Sequence, residues 1–289
     1  MKGYDYILAK QIAWANRNDI PLVGSKGTRG RPAYTAALEQ NLFQPLLPEV
    51  RESFEKGDGG ELGSPGMPGK MQAVHSSSAL GANVFQYWKS ISKVPDIAAA
   101  CGFCRSGSQV SCDIKFEDKY TIDKKFSHPP NIDVVIHNTS SASVQRFAIE
   151  CKFSEAYGAH QHGGLKAKYL ECSELWADLP HLRNFAETIA GEEDHKFKHL
   201  HPAQLVKHIL GLKQGTKSLQ GFRLLYLWYD VLGDEGKVHR DEVEEFTSVV
   251  EKDGVKFHSM TYQELISRLA GDYAAEHRDY LAYITERYL

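Results

Sequence analysis

The sequence predicts an α/β fold with a mixed central sheet flanked by helices. Three observations predict it. Three runs of strand character follow one another between residues 109 and 153. A nearly all-apolar run, FRLLYLWYDV at 222–231, has the composition of a strand covered on both faces. Segments with apolar residues at helical spacing precede, separate and follow these runs, an order that sets helices on either side of one sheet.

Residues 1–56 read as mostly helical, broken at the basic, glycine-containing GSKGTRGRP (24–32). GDGGELGSPGMPGK (57–70) reads as a linker or a mobile functional loop. SSSALGANVFQYWKSI then opens on serines suited to cap a helix and sets Leu80, Val84, Trp88 and Ile91 on one core-facing stripe. The strands follow: QVSCDIKFE (109–117), NIDVVIHN (131–138) and RFAIECKF (146–153). The turn-rich link between the last two is short enough to make them antiparallel neighbours. Helical material spans about 166–190. A further helix, HPAQLVKHILGLKQG, has Pro202 near its start, Leu205, Ile209 and Leu212 on one face, and Gly215 as the expected stop. After the apolar strand come a short strand near VKFHSM and amphipathic helices from Thr261 onward. The chain reads as one unit over 1–289, with an N-terminal helical and loop extension (1–75), a core (76–231) and a C-terminal strand with helices (232–289).

Of the 289 residues, 42% are hydrophobic and 25% charged, which suits a soluble protein with a substantial core. The net charge of −3 provides no global attraction to nucleic acid or an anionic membrane, so any such binding must come from a local patch. Five scattered cysteines fit a reducing compartment better than a disulfide framework. The N-terminus lacks a signal-peptide core, and LLYLWY (224–229) is too short to span a bilayer. The expectation is a cytoplasmic protein without a membrane partner.

The run RFAIECKF carries Glu150 and Lys152 inside an apolar strand. With alternating side chains, Phe147, Ile149, Cys151 and Phe153 share one face, and Ala148, Glu150, Lys152 and Ser154 the other. At roughly 3.3 Å per residue the two charged residues lie about 6.6 Å apart, close enough to converge on one group. On the preceding strand Asp133 projects opposite the row Ile132, Val134 and Ile136 and joins them if the register allows. Desolvating such charges is costly unless they are paired, which favours a functional reason for the pattern. Asp133 and Glu150 offer hard oxygen ligands of the kind Mg²⁺ prefers, and a lysine beside them suits phosphodiester hydrolysis. The bare acid-x-Lys pattern recurs at Asp113/Lys115, Glu117/Lys119, Asp123/Lys125, Asp194/Lys196 and Glu235/Lys237. Only Glu150/Lys152 lies in a clean alternating strand preceded by another with a lone Asp after a proline. A solvated, half-exposed strand is the plainer alternative.

These residues resemble the PD-(D/E)XK nuclease superfamily, in which an acid on one strand is followed on the next by Glu or Asp, any residue, and Lys. Here Pro130, Asn131, Ile132 and Asp133 precede Glu150, Cys151 and Lys152, the acid standing two places further from the proline than the motif's literal spelling. HSSSALGANVFQYW, a strand bearing Glu117, PPNIDVVI and FAIECKFSE are similar, more narrowly, to a branch of bacterial restriction endonucleases. The resemblance implies a restriction-endonuclease-like αβββαβ core over 76–231. It also implies Mg²⁺, one or two ions with Mn²⁺ as a substitute, on Asp133, Glu150 and the Cys151 carbonyl. Lys152 would orient or activate water, leaving 5′-phosphate and 3′-hydroxyl ends. Glu117 is a further metal-ligand candidate or else a solvated strand-end charge. Gln204 and His208, four apart, resemble a Gln-x-x-x-Tyr helix of the superfamily with His in place of Tyr, or form a polar helix face.

The function so implied is a Mg²⁺-dependent DNA endonuclease of the restriction or defence type; the alternative is a catalytically inactive nucleic-acid-binding module on the same fold. Phosphate-contact candidates are Lys26, Arg29 and Arg31 in the basic N-terminal stretch, and Lys207 and Lys213 in KFKHLHPAQLVKHILGLKQGTK, which has five lysines and no acid. A homodimer follows by analogy, because double-strand cutting calls for two active sites. Cys101 and Cys104, with Cys112 and His128, invite a zinc reading, but a single cysteine pair favours buried thiols. HQH (160–162) reads as part of a Gly-rich loop after the catalytic strand.

Overall fold

A computed structural model describes residues 1–23, 33–57, 59–64, 66–159 and 162–289. The chain opens with α1 (Gly3–Arg17) and α2 (Pro48–Lys56), then a small hairpin, β1 (Gly63–Ser64) and β2 (Met67–Pro68). There follow α3 (Ser77–Ser90), α4 (Val94–Ala100), β3 (Ser111–Lys119), β4 (Asn131–Asn138) and β5 (Arg146–Lys152). After α5 (Ala167–Leu170), α6 (Pro180–Thr188) and α7 (Pro202–Thr216) come β6 (Phe222–Trp228), α8 (Asp234–Lys252), β7 (Phe257–Thr261), α9 (Tyr262–Tyr273) and α10 (Arg278–Tyr288).

The sheet is five-stranded and mixed, in the order β3-β4-β5-β6-β7. The first three strands meander antiparallel, and β5, β6 and β7 run parallel through helical crossovers. This is the expected restriction-endonuclease-like core, with α3 lying across β3–β5 on one face and α7 against β6 on the other. The apolar run of β6 is central and buried along both faces, as its composition requires. Ser76 caps α3 by accepting from the Ala79 N–H at 3.2 Å, and Leu80, Val84 and Trp88 are wholly buried. The tight link between β4 and β5 is braced by Asn138, whose side chain accepts from the Ser111 hydroxyl at 2.9 Å and donates to the Val144 carbonyl at 2.8 Å.

Two local expectations are corrected. The helical material expected over 166–190 is broken into α5, a single 3₁₀ turn (Ser173–Trp176) and α6. Asp178 takes a left-handed φ of 66°, and Pro180, which has no N–H to donate, starts a new helix. Gly215 does not stop α7; the helix continues to Thr216, and Lys217 takes the left-handed conformation at φ 60°. Gly215 and Gly211 serve close approach instead, since a Cβ at either would lie 2.9 Å from Tyr120 atoms. That approach draws α7 down against the end of β3.

The two ends of the chain meet at Arg287, which is fully buried on α10. Its guanidinium donates to Gln11 Oε1 at 3.0 Å, to the Asn41 carbonyl at 2.9 Å, to the Tyr283 hydroxyl at 2.6 Å and to the Val74 carbonyl at 3.2 Å, and it also bonds the Asn41 side chain. It lies 4.1 Å from the Trp14 ring centroid, a desolvated cation–π contact. Arg287→Met keeps much of the volume but orphans several buried acceptors. The expected loss is about 3 kcal/mol or more of stability, read as a lower denaturant midpoint at unchanged slope. An unchanged midpoint would refute the assigned role.

Candidate active site

Register brings three carboxylates into one row. Val134 pairs with Ile149 across β4 and β5, so the next step along both strands sets Asp133 opposite Glu150. The pairs Phe116↔Val134 and Asp118↔Ile132 bracket Glu117 and Asp133 in the same way on β3. Residues opposite one another in a ladder share a face. Glu117 is held at φ 52°, a conformation glutamate seldom adopts inside a strand and one whose cost is characteristic of functional positions. Its Oε2 accepts from the Asn131 amide at 3.2 Å.

Glu150 is wholly buried. Its Oε1 accepts from Lys152 Nζ at 2.5 Å, and its Oε2 lies 2.7 Å from His208 Nε2. Lys152 Nζ also donates to Gln204 Oε1 at 3.1 Å. Gln204 and His208 are therefore one helical turn apart on the face of α7 that covers the two β5 charges. The approach to α7 is pinned from the opposite side. The buried Glu242 carboxylate of α8 accepts from three successive backbone N–H groups, those of Lys198, His199 and Leu200, at 2.6, 2.9 and 2.8 Å. Asp133 Oδ2 accepts from the Cys151 N–H at 2.7 Å, which fixes its carboxyl beside Glu150 on the adjacent strand.

The electrostatics divide the row. Burial pushes Glu150 up, but Lys152 and His208 prevail and hold it at about 2. Burial, together with the charges of Glu150 and Glu117, pushes Asp133 well above the usual aspartate range against the pull of Lys152. Glu117 is pushed up to about 7 by burial and by Glu61 and Glu150. Lys152 is pulled down by burial but held above the ordinary lysine value by Glu150 and Asp133, so it stays an ammonium. Glu150 thus stays an anion paired with the Lys152 ammonium, while Asp133 and Glu117 are pushed toward their neutral forms.

Glu61 is the participant that sequence reasoning missed. It lies on the turn leading into the β1–β2 hairpin, 3.9 Å from Lys70 Nζ, with its side chain 12% exposed. No periodicity marks it; the only signal was an acid within a Gly- and Pro-rich loop. A second unanticipated feature is the stacking of His162 on His201, with ring centroids 4.9 Å apart, where the loop after β5 meets the start of α7. Burial, His162 and Lys152 lower His201 to about 4.

The remaining candidates are dispersed. Lys207 is half-buried on α7 one turn beyond Gln204. Lys213 Nζ bonds the Ala177 carbonyl and lies 3.4 Å from the Leu175 carbonyl, which ties α7 to the segment before α6. Lys26, Arg29 and Arg31 lie outside the described residues, as do His160 and Gln161. Cys101 is buried, Cys104 half-buried and Cys112 exposed, all as free thiols. His128 is exposed and bonds Ser127.

As a donor set, Glu117, Asp133, Glu150 and the Cys151 carbonyl fit a hard divalent cation in type and in charge, since mutual repulsion of the carboxylates is what such an ion relieves. They are not a preformed cage: among the described residues no three acidic, histidine or cysteine side chains form a group placed to hold a metal. Both Glu150 oxygens are engaged by Lys152 and His208. Among the described residues no helix is long and apolar enough to cross a membrane.

A family model described as "Restriction Endonuclease associating with ARP" matches residues 8–289. Neither the curated proteins nor the solved structures contain a match.

The raised Glu117 pKa has a consequence for stability. Between the ordinary value of 4.5 and about 7, the folded chain retains a proton that the unfolded chain has lost, so stability falls as pH rises through this window and is level above it. Glu117→Gln removes this contribution and leaves that of Asp133, whose carboxyl is also pushed up. The metal-free variant is expected to match the parent at pH 4 and to exceed it at pH 8 by about 1–3 kcal/mol. Denaturant midpoints across this range check it, and parallel pH profiles for the two proteins would refute it.

Proposed function

Because the chain belongs to the family of restriction endonucleases associating with ARP, we propose that it is a Mg²⁺-dependent endodeoxyribonuclease of the restriction or defence type. The observation that carries the reading is the buried Glu150–Lys152 ion pair, hydrogen-bonded to His208 and set beside Asp133, on a sheet face where apolar residues would pack at lower cost.

In this reading Asp133, Glu150, Glu117 and the Cys151 carbonyl hold Mg²⁺, with Mn²⁺ as a substitute. When bound, the ion supplies Lewis acidity and a water of lowered pKa at the scissile phosphate. Lys152 remains protonated under the charges of Glu150 and Asp133. It therefore acts as a fixed cation that orients water and neutralises charge building on phosphorus, not as a base. Gln204 holds the ammonium in place, and His208 fixes the Glu150 carboxylate, so neither must reorganise during attack. In-line displacement leaves 5′-phosphate and 3′-hydroxyl ends. The description of the family supports an association with ARP as a further part of this reading.

Purified protein is expected to nick or linearise plasmid in Mg²⁺ or Mn²⁺ and to be silenced by EDTA. Glu150→Gln and Lys152→Met are each expected to lower the cleavage rate by about 10³-fold or more, and His208→Ala by roughly 10-fold through a looser carboxylate. Rates for Glu150→Gln equal to those of the parent would eliminate the proposed site, and DNA binding without cleavage by the parent would favour the inactive module.

A further inference from the structure

Several lysines around the sheet are neutralised: Lys89 pairs with Asp113 and Glu49, Lys196 with Glu245, and Lys152 with Glu150. Lys166, Lys168 and Lys207 differ. None of them forms an ion pair with a carboxylate among the described residues. Lys166 and Lys168 are exposed, and Lys207 is half-buried.

The fold brings the three together. His201 Nε2 lies 3.1 Å from the Gly163 carbonyl, and Lys213 Nζ lies 3.4 Å from the Leu175 carbonyl. These contacts tie the segment after β5 to α7 at His201 and at Lys213, positions roughly 18 Å apart at 1.5 Å per residue. The segment therefore runs alongside the helix, and it carries Lys166 and Lys168 between the two ties, as α7 carries Lys207. Phe126 and Tyr169 wall this region, their ring centroids 4.5 Å apart, and Lys168 Nζ stands 5.1 and 5.4 Å from the two rings. Lys207 in turn follows Gln204 on α7, and Gln204 holds Lys152. The cluster is thus continuous with the candidate active site.

Three ammonium groups along one helix without a carboxylate partner, one of them half-buried, are unfavourable without an anion. Burial and the charges of Lys166 and Lys168 lower the Lys207 pKa against the pull of Glu150. We propose that Lys166, Lys168 and Lys207 form a phosphate-binding track that seats the backbone of a DNA duplex along α7 and leads it into the row of Glu117, Asp133 and Glu150. This rests on the nuclease reading and adds the surface by which the substrate is held. Such contacts position a duplex without reading its sequence, so the track serves sites of any sequence.

The test is equilibrium binding of a fluorescent duplex of about 30 base pairs, followed by anisotropy in EDTA over a salt series, for the full chain and for Lys166→Ala, Lys168→Ala and Lys207→Met singly and combined. Each lysine removed is expected to flatten the dependence of log affinity on log salt by about 0.9, and the triple variant to bind at least about 10-fold more weakly at moderate salt. Lys252→Ala, on the exposed end of α8, is expected to leave the slope unchanged. If the triple variant fails to fold, Lys166→Ala and Lys168→Ala, both exposed, carry the measurement. Parent-like affinity and slope in the lysine variants overturn the track while leaving cleavage, and so the nuclease reading, intact. Binding that weakens as expected in a parent chain that does not cleave plasmid supports the track and removes the nuclease reading. A parent chain that binds no duplex overturns both.

Discussion

The buried carboxylate of Glu150, held between the Lys152 ammonium and the His208 imidazole, is the constraint that the surrounding architecture satisfies. An ion withdrawn from water loses on the order of several kcal/mol of hydration unless its partners are close and fixed. Three elements supply that fixity. The β5 strand puts both charges on one face, the 2.5 Å contact joins them, and α7 delivers a hydrogen-bonding group to each. Helix α7 can come so near because Gly211 and Gly215 leave room for Tyr120, and it arrives in register because Glu242 grips the backbone just ahead of it. Remote features of packing and capping thus end in the placement of two side-chain atoms.

The same cluster is deliberately unbalanced. One carboxylate of the row is stabilised as an anion, while its neighbours Asp133 and Glu117 are pushed toward their neutral forms by burial and by each other. Glu117 adds backbone strain to that repulsion, and Glu61 adds a further negative charge from a separate loop. A protein optimised for stability alone would remove these features, and their concentration at one end of three adjacent strands supports the proposed metal and DNA site. The unpaired lysines along α7 are the positive counterpart of that arrangement. Negative groups gather where a metal would bind, and positive groups gather along the path a phosphate backbone would follow.

Holding such a row in place requires a frame that does not yield. The helices on the α3 face provide it, with α1, α3, α4, α9 and α10 packed against one another, and Arg287 binding α1, the Asn41 and Val74 segments and α10 into one buried network. Asn83 and Gln86 of α3 extend it by capping the backbone of residues 41–47. The face opposite the candidate site is thereby closely cross-bonded, as a site held in fixed geometry requires.

By itself the amino-acid order determined which segments are strands and which side chains share a face, because strand alternation is a local, two-residue rule that Glu150, Lys152 and Asp133 obey regardless of their surroundings. It also marked Gln204 and His208 as one helix face through their four-residue spacing. Only the tertiary structure decided that Gly215 continues its helix, that Lys213 is occupied by backbone carbonyls and that the charge of Glu61 reaches Glu117. Each of these depends on contacts between residues far apart in sequence, such as Tyr120 against Gly215 or Leu175 against Lys213. Local pattern carries no record of them, since the free energy that selects such contacts comes from packing and desolvation shared across the whole chain.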